Sequence, residues 1–145
     1  MVPMNTITTR ISNFSFHAAA ALLLAAGSGL AWAEELKLSG VQEVPPVTTS
    51  AAGTGSITIA ADGAVSGSVT TTGVAGTMAH IHVAAMGKNG PVIIPLTKTG
   101  DGVWSVPPGA KLNLEQMKSY QAGELYVNVH SDAHKGGEVR AQLKP

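Results

Sequence analysis

The chain has 145 residues, no cysteine, and nine Lys and Arg against nine Asp and Glu, a formal net charge of zero. Without thiols it has no disulfide staple, no thiolate metal site and no cysteine nucleophile. Balanced charge with no basic block sets aside DNA and RNA as partners.

The first segment carries Arg10, an apolar run from Ala18 to Leu30, and the small residues Ala31 and Ala33 ahead of Glu34 and Glu35. This three-part layout predicts a cleavable secretory signal over 1–33, cut after Ala33. The apolar run is shorter than the ~20 residues that cross a bilayer, and no later segment is suited to span one. The expected mature domain is 34–145, with eight Lys and Arg against nine Asp and Glu. That length suits one domain with one modest core, in a periplasmic or secreted protein.

Along this domain, short β-rich or alternating segments are separated by Gly, Pro, Asn and Asp, the pattern of an all-β antiparallel sandwich or barrel with Greek-key-like connections. Strands are predicted at Leu36 to Ser39, Gly55 to Ala60, Ala64 to Thr71 and Thr77 to Val83. Further strands are predicted at Val92 to Leu96, Val103 to Val106, Leu125 to His130 and Glu138 to Leu143. Asp62-Gly63 marks a hairpin. Val41 to Pro46, with two prolines, predicts an extended edge that fixes Gln42 and Glu43. Thr48 to Thr77 reads as a solvated, hydroxyl-rich face without chemistry. The loop around Gly87-Lys88-Asn89-Gly90-Pro91 reads as a turn, since no strand, loop and helix context makes it a nucleotide site. Asn113, with an acidic and then a basic turn after it, caps one short helix that ends at Gly123. Trp104 and Tyr120 read as core residues.

Strand alternation places Ala79, Ile81 and Val83 inward and Met78, His80 and His82 on the opposite face. The same rule puts Leu125, Val127 and Val129 inward and Tyr126, Asn128 and His130 outward. Two imidazoles at i, i+2 can share one ion, and His130 supplies a third. Met78 offers a soft extra ligand, and His134 can complete or cover the site. Asp132 offers a carboxylate. Glu43, Tyr126 and Asn128 are candidate groups around the ligands that orient the imidazoles. Such a nitrogen-rich, soft set favours copper ahead of zinc. No Gly-x-Ser-x-Gly elbow and no placed carboxylate pair supports hydrolysis.

The stretches Leu38 to Pro46, Ala79 to His82, Asn89 to Val92, Tyr126 to His130 and Gly137 to Arg140 together resemble the CHRD domain, named after chordin, from about Glu35 to Leu143. The resemblance implies a β-sandwich module of exported proteins. A looser likeness joins His80, His82 and His130 to the copper ligands of copper-zinc superoxide dismutase, though the bridging histidine, the zinc-loop set and the disulfide cysteines are missing. Arg140, comparable with that enzyme's guiding arginine, is expected to pair with an acid such as Glu43 or Glu138. The leading expectation is a copper-binding protein for sequestration or transport, binding rather than turning over. The alternatives are a metal-free module that holds another exported protein, and a copper-dependent oxidoreductase.

Overall fold

A computed structural model describes residues 34–145. The expected signal segment, 1–33, lies outside the described residues. Nine strands run as β1 (Leu36–Ser39), β2 (Ala52–Ile59), β3 (Val65–Thr72), β4 (Gly76–Val83), β5 (Val92–Pro95), β6 (Thr97–Gly100), β7 (Val103–Ser105), β8 (Leu125–Ser131) and β9 (Val139–Leu143), with one α-helix, α1 (Leu114–Gln121). They form one sheet in the order β5-β4-β8-β9-β1-β2-β3-β7-β6, every neighbouring pair antiparallel. The two outermost strands, β5 and β6, are separated in the chain by Leu96 alone. The sheet therefore curls until its ends meet, a nearly closed barrel. Leu96 donates its backbone N–H to Ala79 O on β4 at 2.9 Å, continuing the β4–β5 ladder, and its side chain is buried.

The core is the inward row of each strand. Val69, Ile81, Leu125, Val127, Val129 and Val139 have no exposed surface, and Leu38, Ala79, Trp104, Ala141 and Leu143 join them. Each such aliphatic side chain contributes roughly 1.5–3 kcal/mol by leaving water. This is the inward row that alternation assigned to β4 and β8. Trp104 is buried as expected, whereas Tyr120 only packs against the core and donates its hydroxyl to Lys144 O at 3.0 Å.

The predicted strands are all present with ends shifted by a few residues, and β6 is added to them. Thr97-Lys98-Thr99-Gly100 is exposed throughout, so no inward apolar residue marks it in the sequence. The predicted helix forms with Asn113 as its cap: Asn113 Oδ1 accepts from Gln116 N at 2.9 Å while Gln116 Oε1 accepts from Asn113 N at 2.9 Å. These two bonds satisfy helix-start N–H groups that have no intrahelical partner.

The segment Val41 to Pro46 departs from the expectation. It begins as a turn instead of extended chain and follows β1, a strand inside the sheet between β2 and β9. Gly40 to Gln42 form a 3-10 turn, and Gly40 O accepts from both Glu43 N (3.1 Å) and Val47 N (2.9 Å). The turn folds this segment inward and leaves Glu43 only 3% exposed.

Candidate metal centre

The register of β4 on β8 sets Met78 opposite His130, His80 opposite Asn128 and His82 opposite Tyr126. On β9 the same rows continue with Arg140 beside Asn128 and Gln142 beside Tyr126. Since Ala79, Ile81, Val127 and Val129 point into the core, the pleat turns all these polar side chains to the outer face. His80 and His82, two residues apart, thus meet His130 across the strand boundary. One ring nitrogen from each of the three lies within 4.8 Å of the others.

Backbone carbonyls fix two of the rings. His82 Nδ1 lies 2.9 Å from Gly90 O and His130 Nδ1 lies 2.9 Å from Lys135 O. A carbonyl can only accept, so each Nδ1 carries hydrogen and, in the neutral ring, Nε2 carries a lone pair. The Nε2 of His130 sits 3.0 Å from His80 Nδ1, which donates to it when both rings are neutral. The Nε2 of His82 is buried without a hydrogen-bond partner. Burial, and then the neighbouring His130 and His82, push the His80 pKa down to about 4. Burial also lowers that of His82, against the raising effect of Gly90 O. His80 and His82 are therefore neutral at pH 7, the protonation state that binds metals.

Three chain segments roof this face. The 84–91 loop reaches it because Gly90 lies where an added Cβ would stand 1.8 Å from Val83 O, a space that admits no side chain. At Gly137, in the 131–137 loop, φ is +126° and an added Cβ would meet Glu43 Oε1 at 2.4 Å and Asn128 Nδ2 at 2.5 Å. The 40–47 segment brings Glu43 over Asn128. Burial raises the Glu43 pKa to about 7, against the lowering effects of Asn128 and Arg140. Its Oε1 and the Oδ1 of Asn128 are buried without partners.

Of the residues singled out in the sequence, the structure gathers His80, His82 and His130, and ranges Tyr126 and Asn128 beside them. Tyr126 stacks on His82 with centroids 4.6 Å apart and planes 2° from parallel. Met78 is half exposed at the rim, level with His130. His134 is not in the group of three; its N–H donates to Ser131 Oγ at 3.1 Å within the following turn. Asp132 is exposed and lines a different cavity, with Lys98, Asp101 and Trp104.

Arg140 does not form the expected ion pair. Glu138 instead accepts from Thr49 Oγ1 (2.7 Å) and Ser131 Oγ (2.6 Å), while Arg140 donates to Lys88 O, Ala85 O and Gln142 Oε1. Sequence reasoning missed Gly90 and Lys135, whose contribution is a carbonyl that any residue carries. It also missed Gly137 and Gln142. The alternation applied to β8 would have exposed Gln142 and Arg140 as an outward polar pair, had it been extended to β9.

No curated protein and no solved structure matches the chain. A family model, the CHRD domain, matches residues 35–143, which takes in every strand, the three histidines and all three roofing segments. This chain belongs to the CHRD domain family.

Proposed function

We propose that this CHRD domain is an exported protein that binds copper through His80, His82 and His130, for sequestration or transport in the periplasm or outside the cell. The observation that carries the reading is the buried Nε2 of His82, a lone pair without a partner beside two further imidazoles, with its tautomer held by Gly90 O. A buried acceptor left unpaired costs about 1–3 kcal/mol, and a cation bound there removes that cost. Three nitrogens with the Met78 thioether at the rim suit copper ahead of zinc, and copper stands highest for such ligands among the divalent first-row ions. Met78 serves as the auxiliary ligand in this reading. His134 and Asp132 lie outside the group of three. Asn128, Tyr126 and Glu43 orient the ligands. The signal over 1–33 directs export, and protein recovered outside the cytoplasm is expected to begin at Glu34.

Titration of the purified protein with Cu(II), and with Cu(I) under reducing conditions, tests the reading. One equivalent is expected to bind and to raise the melting temperature, since a ligand that binds only the folded state stabilises it. Both effects disappear in His80→Ala and His130→Ala. If the wild-type protein ignores both copper ions, the metal-free module that holds another exported protein takes its place. Steady turnover of a redox substrate by the copper-loaded protein would favour the oxidoreductase instead.

A further inference from the structure

Arg140 is 1% exposed, yet the ion pairs among the described residues are three on the surface and do not include it. Burying an ion costs several kcal/mol unless its hydrogen bonds are made. Here they go chiefly to one loop: Nη1 to Lys88 O (2.8 Å) and Asn89 Oδ1 (3.5 Å), and Nη2 to Ala85 O (3.4 Å) and Gln142 Oε1 (2.9 Å). Gln142 adds Nε2 to Ala84 O at 2.8 Å, and Asn89 Nδ2 ties the loop to Val44 O at 2.6 Å. At its far end the loop presents Gly90, whose N–H donates to the Tyr126 hydroxyl at 3.3 Å and whose carbonyl takes His82 Nδ1. A second route is direct. The guanidinium carbon lies 3.5 Å from the Tyr126 ring centroid, and Tyr126 is stacked on His82. Because β8 runs between β4 and β9, the three side chains form one column.

We propose that Arg140 is the positioning residue of this site: it sets the ring plane and the tautomer of His82 through the 84–90 loop and the Tyr126 ring. The proposal deepens the copper reading and rests on it for the effect on affinity. Burial, with both Nη atoms engaged, rules out the role of a surface guide for anions. The work needs a planar fork that stacks and donates in several directions, which lysine does not provide.

The test is the imidazole 15N spectrum of the 15N-labelled purified protein, wild type against Arg140→Lys. In the wild type, His82 shows a protonated Nδ1 and an unprotonated Nε2. In the variant, His82 is expected to lose this single-tautomer signature while His130, held independently by Lys135 O, keeps its own. Copper affinity falls about 10- to 100-fold, the range for lost partners of metal ligands. Should the lysine variant not fold, Gln142→Ala, which removes an acceptor of Arg140 and a loop anchor, is expected to move His82 in the same direction. An unchanged His82, or an equal change at His82 and His130, overturns the proposal. If the wild-type protein binds no copper, the copper reading fails while the tautomer comparison still decides the role of Arg140.

Discussion

The outer faces of β2–β3 and of β4–β8–β9 follow the same alternation and differ in what covers them. On β2 and β3, Thr54 faces Thr70, Ser56 faces Ser68 and Thr58 faces Ser66, a ladder of hydroxyls open to water. On the other half, His82, Asn128, His130, Arg140 and Gln142 are all buried beneath three loops. Open hydroxyls find partners in water and need no fixed geometry. Covered polar groups lose water as a partner, so every pairing they make within the protein fixes an orientation and any atom left over stands unpaired. Three of the four buried polar atoms left without partners among the described residues belong to this covered half: Glu43 Oε1, His82 Nε2 and Asn128 Oδ1. The roof, more than the strand pattern, separates a candidate site from a solvated face.

The largest effect expected from breaking this contrast is on metal. His80→Ala with His82→Ala should lower copper affinity by more than about 100-fold, beyond what loss of an outer partner causes. Thr54→Ala with Thr70→Ala should leave it unchanged; isothermal titration compares the two pairs. Next comes the roof itself. Gly137→Val puts a side chain where Glu43 and Asn128 approach the backbone, at a φ that branched residues rarely adopt, and is expected to cost about 1–3 kcal/mol from strain alone. Urea unfolding measures it, and a midpoint equal to that of wild type would refute the account of the roof.

A smaller effect is on pH. His80 and His82 have folded pKa values below the usual 6.5, so the unfolded chain takes up protons that the folded chain refuses, and stability falls as pH drops from 6.5 towards 4. Glu43 acts in reverse. Its folded pKa is raised from 4.5 to about 7, so its contribution is present below 4.5 and is lost as pH rises through 7. Glu43→Gln removes that opposing slope. Its melting temperature should exceed that of wild type at pH 7, with a steeper decline from pH 6.5 to 4.5; parallel melting curves would show that Glu43 is not under strain. The smallest effect is that of the threonine pair on stability, within about 0.5 kcal/mol by thermal melting.

Much of this was legible in the sequence. Period-two alternation assigned the inward rows, and His80, His82 and His130 followed from counting residues along two strands. Asn113 and Gly123 marked the helix because capping chemistry is local. The remainder depends on atoms or contacts that residue type does not encode. Gly90 and Lys135 act through carbonyls, β6 has no apolar face, and the fold of Val41 to Pro46 is set by Gly40 O and by the absence of an edge at β1. His134 is near His130 in the chain, and whether it reaches the group is set by the Ser131–His134 turn, which spacing alone does not describe.

The single-residue link at Leu96 bears on how the protein fails. A strand at the rim of an open sheet offers unpaired backbone groups that template aggregation. Here β5 and β6 are short and continuous with each other, and the Leu96 N–H between them donates to Ala79 O on β4. Loosening the β5 end of the ladder would expose the buried side chains of Ile94 and Leu96. In a chain without cysteine, the continuity of the two rims through one buried residue is expected to limit how far either edge can peel away to pair with another copy.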